Sequence, residues 1–138
     1  MTNTVHANSA PQWSDFPEGC PPDGSSAPQG DYFRITNKRT PSAKCCATDY
    51  EKNPDLLDGR TGLYYICTYG LSIQDTLEGA RQKARTFKNA TRTRYIAKGS
   101  LTKEVGLVKQ TFEDKHHHTL WTYDGVERHK YIQFEEVV

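Results

Sequence analysis

A chain of 138 residues, 35% hydrophobic and 25% charged, is sized for one core and needs no second domain to bury it. Its formal net charge of +1 excludes a global field that would draw the whole surface to nucleic acid or to an acidic membrane. No apolar run approaches the roughly 20 residues that cross a bilayer, and the start MTNTVHANSA lacks the basic and apolar stretches of a secretory signal, so a soluble cytoplasmic protein without a membrane partner is expected.

Residues 1–30 are rich in Pro, Gly, Ser and Asn and read as an irregular arm, with Trp13 and Phe16 as bulky anchors; residues 31–138 read as a single α+β domain. The arm holds Asp15, Glu18 and Asp23 and no Lys or Arg, which leaves the body mildly basic. Asp31 to Thr36, DYFRIT, alternates as a first strand with Phe33 and Ile35 on one side and Tyr32 and Arg34 on the other. Asn37 to Gly62 is a long polar connection with a short helix expected around Ala43 to Glu51. Leu63 to Tyr69, LYYICTY, is a dense β-type run expected as the second strand.

That strand is expected to lead through Gly70 into the main helix, residues 72–88. Ser72 and Asp75 have the spacing of a capping box, and Ile73, Leu77, Ala80, Ala84 and Phe87 form an apolar stripe. The basic Arg81, Lys83, Arg85 and Lys88 fall late, where they complement the macrodipole. Gly79 in mid-helix costs roughly 1 kcal/mol against alanine. Four alternating segments follow: Arg94 to Leu101, Val105 to Phe112, His117 to Tyr123 and Tyr131 to Val138. The expected fold is a mostly antiparallel, curled or split sheet of about six strands with one main helix packed on it.

Several groups carry chemistry. His116, His117 and His118 run into a strand, where His117 must point away from its neighbours; an imidazole near neutrality can move protons, so His117 and His118 are candidate catalytic residues. A carboxylate such as Glu113 or Asp114 could complete a metal site, but the spacing matches no metal template and no metal ligand is assigned. Arg34, with Tyr32 on its face, Tyr64, and the turn from Gly70 to Ser72 offer a guanidinium fork and a helix N-terminus to an anion; Trp121 lies on the histidine strand. Glu135 and Glu136 should leave the last strand on opposite faces, with Glu136 beside Ile132, Phe134 and Val138, a setting that raises a carboxyl pKa. The cluster of Arg81, Lys83, Arg85, Lys88, Arg92, Arg94 and Lys98 suggests a nucleic-acid surface. Cys20, Cys45, Cys46 and Cys67 read as free thiols, and Lys44 beside the cysteine pair makes a cysteine nucleophile a minor alternative.

The segments YFRI at Tyr32, GLSIQDTLEGARQKARTF at Gly70, RYIAKGSL at Arg94 and HHTLW at His117 resemble a family of small bacterial and phage-borne α+β proteins of no assigned activity. The likeness spans about three-quarters of the chain; those relatives lack the Pro-rich start and carry a simpler helical segment in place of part of Asn37 to Gly62. The order Arg34, Ser72, then Glu135 or Glu136 is also similar to that of ADP-ribosyltransferases, although the Ser-Thr-Ser triplet and the Glu-x-Glu pair are missing. That likeness implies an NAD- or ADP-ribose-recognising transferase or glycohydrolase with an anion site at the strand-helix turn, NAD as cofactor and a nucleotide as small-molecule partner. The alternatives are a non-catalytic module holding a protein or nucleic acid through the arm or the basic helix end, and a metal-assisted hydrolase on the His116–His118 strand.

Overall fold

A computed structural model describes residues 12, 13, 15–87 and 92–138. Six antiparallel strands form one open sheet: β1 Gly30–Thr36, β2 Leu71–Gln74, β3 Tyr95–Leu101, β4 Gly106–Gln110, β5 His117–Thr122 and β6 Gln133–Val137, in the spatial order β4-β5-β2-β1-β3-β6. Three helices accompany it, α1 Asp49–Lys52, α2 Gly62–Cys67 and the main helix α3 Leu77–Arg85. No helix among the described residues is long and apolar enough to cross a membrane.

The α+β class and the six-strand antiparallel sheet agree with expectation, but the second strand lies elsewhere in the chain. Leu63 to Cys67 is helical rather than extended, and Thr68 and Tyr69 form a turn. A short apolar run is ambiguous between strand and helix, and here tertiary contacts decide. Tyr65 and Tyr69, four apart, meet edge to face at 5.8 Å, and Trp121 Nε1 donates to the Ile66 carbonyl at 3.2 Å. The strand is instead Leu71–Gln74, whose LSIQ alternates with period two, Leu71 and Ile73 entering the core beneath the sheet. Ser72 is therefore mid-strand and caps nothing. Thr76 is the cap, its Oγ1 accepting from Gly79 N at 2.9 Å, and the helix ends at Arg85; Lys88 and Asn89 lie outside the described residues.

Strand alternation sorts the core onto two faces. Tyr32, Leu71, Ile73, Leu101, Val108 and Leu120 pack on one, closed by Cys45 and Cys46 from the 3-10 turn Lys44–Cys46. Phe33 and Ile96 on the other receive Ala80 and Leu77 of α3. Gly79 belongs to this contact, because a Cβ there would stand 2.8 Å from His116 Cβ. Arg128 ties the first face together, donating to Thr122 Oγ1, to the Cys46 carbonyl and in two bonds to Glu51. Burial pushes the Glu51 carboxyl up, but the bonds from Arg128 and Thr48 outweigh it and leave its pKa below the ordinary range.

The arm is fastened to this body. Ser26 and Val108 exchange backbone hydrogen bonds along β4, the Trp13 ring lies 4.4 Å from that of Tyr123, and Phe16 meets Tyr69 at 6.0 Å. Both anchors thus cover core aromatics.

Candidate functional site

Leu71–Gln74 and His117–Thr122 run side by side with Ser72 opposite Thr119 and Gln74 opposite His117. Because paired antiparallel residues share a face, Ser72, Gln74, His117 and Thr119 all project to the side of α3. Ser72, Gln74 and His117 open into a cleft of about 310 Å³, lined also by Thr48, Cys67, Lys83 and Phe87. The cleft sits where β1 and β2 part, for these strands share a single paired position, Phe33 with Gln74.

Ser72 Oγ lies 3.0 Å from His117 Nε2. His117 is buried, whereas Ser72 is exposed, so the hydroxyl faces the cleft with the imidazole behind it. The other ring nitrogen, Nδ1, is 2.9 Å from Thr111 Oγ1 and 3.3 Å from the Thr111 carbonyl. A carbonyl can only accept, so Nδ1 carries the proton and Nε2 is the bare nitrogen that accepts from Ser72. The relay continues from Thr111 Oγ1 to Thr119 Oγ1 at 2.8 Å, and Thr119 Oγ1 donates to Cys67 Sγ at 3.4 Å. Burial lowers the His117 pKa below the ordinary histidine value, the Thr111 carbonyl opposes that shift only in part, and nearby Lys83 reinforces it. The imidazole is held neutral at pH 7, the state a general base requires.

The support for this pair is unusual backbone. Phe112, next to Thr111, has φ +64°, a left-handed conformation that non-glycine residues rarely adopt, and Gln110 Nε2 pins the turn by donating to the carbonyls of Thr111, Phe112 and Asp114. Gln74, only 3% exposed, lines the cleft with its Oε1 buried and without a hydrogen-bond partner among the described residues. An unsatisfied buried amide oxygen costs about 1 to 3 kcal/mol, so a donor entering the cleft would find it ready.

Of the residues singled out in the sequence, Ser72 and His117 meet, Arg34 and Gly70 line the same cleft, and the others lie elsewhere. Arg34 projects from the opposite face, where its Nε and Nη2 donate to the Cys45 carbonyl and its Nη1 to the Ser72 carbonyl at 2.7 Å; it lines the cleft's edge. His118 points to the same face as Arg34, its ring 6.0 Å from that of Tyr32. Tyr32 is core, with its hydroxyl accepting from Gln29 N. Trp121 is fully buried. Gly70 lets the chain pass close to β5, since a Cβ would fall 2.3 Å from Thr119 Cγ2, and no helix starts there to hold an anion. Tyr64 is exposed beneath Arg60, whose guanidinium carbon is 4.2 Å from the ring.

The two glutamates lie on β6, three strands from β2 and thus roughly 14 Å away across the sheet. Glu135 is exposed at a register shift between β3 and β6. Glu136 differs from expectation. Arg81 donates to both its oxygens at 2.7 and 2.8 Å, and these bonds hold its pKa below the ordinary carboxyl range rather than above it. Part of the basic cluster is similarly occupied. Besides Arg81, Arg85 faces Glu78, Lys98 faces Asp31 and Arg94 lies over the Phe87 ring. His116 bonds Asp75 at 2.8 Å instead of joining His118, and among the described residues no three His, Cys, Asp or Glu side chains converge as metal ligands. The cysteines are free; burial pushes the Cys46 thiol up to about 11, which argues against a nucleophilic role there.

Gln74 and Lys83 on the cleft wall, and Thr111 buried behind His117, are not marked as a set in the sequence. The signal that could have found them is the period-two polarity of LSIQ and HHTLWT, which places Ser72, Gln74, His117 and Thr119 on one face once both are taken as neighbouring strands. Comparison with protein-family models, with curated proteins and with solved structures gave no match.

Proposed function

We propose that this protein is a hydrolase of carboxylic esters in which Ser72 is the nucleophile and His117 the general base. The observation that carries this reading is the 3.0 Å bond from the exposed Ser72 hydroxyl to the bare Nε2 of a buried histidine whose other nitrogen is fixed by Thr111. Ser72 Oγ attacks the ester carbonyl carbon as its proton passes to His117 Nε2. That proton then leaves with the departing alcohol, and a water activated in the same way releases the acid from Ser72. Lys83, on the cleft wall, is the candidate to meet the negative oxygen that develops during attack.

The choice of esters over amides follows from the third member. Thr111 orients the ring without a negative charge, and burial disfavours the imidazolium that forms, so the pair suits substrates whose leaving groups need little help. Incubation with a fluorophosphonate should label Ser72, as read by peptide mass spectrometry, and Ser72→Ala and His117→Gln should each abolish labelling while keeping the native circular dichroism spectrum. An unlabelled Ser72 after prolonged exposure of folded protein overturns the proposal.

An NAD- or ADP-ribose-using transferase has less support, because neither Glu135 nor Glu136 lines the cleft. No observation favours the partner-binding module or the metal-assisted hydrolase over these.

A further inference from the structure

Beside the catalytic cleft, and sharing Arg34 and Ile35 with it, lies a second cavity of about 400 Å³. Its walls carry Arg34, Lys38, Lys44 and Lys52, together with Asn37 and Ser42, and no carboxylate. Such a composition is unusual in a protein with nearly equal numbers of acids and bases, 17 against 18. Several cations elsewhere among the described residues are matched: Arg60 with Asp49, Arg81 with Glu136, Lys98 with Asp31, Arg128 with Glu51 and Lys130 with Glu127. Lys38, Lys44 and Lys52 have no acidic partner among the described residues.

Arg34 is the more telling member. It is half-buried, and its hydrogen-bond partners are the carbonyls of Cys45 and Ser72, which solvate a guanidinium without neutralising it. A desolvated charge is costly unless an opposite charge compensates it. The three bonds use one N–H each of Nε, Nη1 and Nη2, which leaves an N–H over at each Nη. Three lysines lining one cavity with an incompletely satisfied guanidinium suit a compact, multiply charged anion. A single carboxylate could not answer so many cations, whereas a phosphate or diphosphate can.

We propose that this basic bay holds the phosphate-bearing end of the substrate, so that the ester opened at Ser72 belongs to a small phosphorylated molecule. The inference rests on the Ser72–His117 reading for the reaction, but the anion site itself can be tested alone. Because Arg34 borders both cavities and also holds the Ser72 carbonyl, one molecule can reach from the bay to the nucleophile. Asn37 and Ser42 add neutral polar groups at the wall, suited to the oxygens that the cations leave free.

The test is calorimetric titration of the full chain with inorganic pyrophosphate at low and at 0.3 M salt. Saturable binding at one site is expected, weakened by salt as exposed charges are screened. Lys44→Glu with Lys52→Glu should weaken it at least tenfold, while Lys103→Glu, outside the bay, should leave it unchanged. Absence of saturable binding at millimolar pyrophosphate overturns the inference, as does binding that the double variant does not alter. Ser72→Ala should bind pyrophosphate like the parent. Pyrophosphate binding with no fluorophosphonate labelling of the parent removes the esterase reading and keeps the anion site; labelling without binding does the reverse.

Discussion

His117 illustrates how burial and chemistry are linked at a single position. Its pKa lies below the value near 6.5 that it has in the unfolded chain, chiefly because burial disfavours the charged ring. Between the two values the unfolded chain binds more protons than the folded one, so this contribution to stability is complete above about pH 6.5 and is lost as pH falls through the folded pKa. Fluorophosphonate labelling of Ser72 should follow the same proton: level from pH 7 to 8, and falling in acid with a midpoint below 6.5. A midpoint at or above 6.5 would contradict the assignment, and His117→Gln should lose the acid-side change in melting temperature that the parent shows.

Gly79 is a second residue whose identity has a local cause. Helix propensity alone would favour alanine there by about 1 kcal/mol. A Cβ, however, would stand 2.8 Å from His116 Cβ and 2.9 Å from Thr76 Oγ1, the capping oxygen. Such overpacking typically costs about 1 to 3 kcal/mol. Gly79→Ala should therefore be net destabilising in urea unfolding; a rise in stability would mean that His116 moves aside freely.

At the scale of elements, what could be read from the chain depended on whether a local pattern was unique. DYFRIT and the four late strands alternate over five to seven residues and have few alternatives, and each lies within a few residues of its expected place. LYYICTY and GLSIQD were ambiguous. β-branched and aromatic residues favour extension in the first, and the Ser72 to Asp75 spacing imitates a helix start in the second. The decision came from contacts remote in sequence, Trp121 on Ile66 and Leu120 opposite Leu71. Exchanging helix for strand there moved Ser72 from a cap to a sheet face, which is why the meeting of Ser72 with His117 was legible only as two separate candidates.

The β6 edge supplies a contrast between those candidates. Glu136 is engaged by Arg81 on the far side of β3 and β1 from the cleft. Glu136→Gln should leave the rate of Ser72 labelling within twofold of the parent. A loss of tenfold or more would return a late glutamate to the chemistry and revive the ADP-ribose reading.

Considered as a whole, the molecule is two three-stranded leaves, β4-β5-β2 and β1-β3-β6, joined along the middle of the sheet. Within the second leaf β1 pairs with β3 at seven positions, from Gly30 with Leu101 to Thr36 with Tyr95. Between the leaves β1 and β2 share only the Phe33 and Gln74 position, reinforced by Arg34 reaching the Ser72 carbonyl. Main-chain bonding is thus thinnest beside Ser72. Amide exchange should register this asymmetry, with Ser72 and Ile35 trading deuterium at least tenfold faster than Ala97 and Leu120. Equal protection would indicate that side-chain packing alone locks the midline.

That thin join has a mechanical consequence. The imidazole and the hydroxyl are carried by the same leaf, so their spacing is set within it and not across the join. The Arg34 guanidinium, reaching the Ser72 carbonyl, is the side-chain clasp across that join.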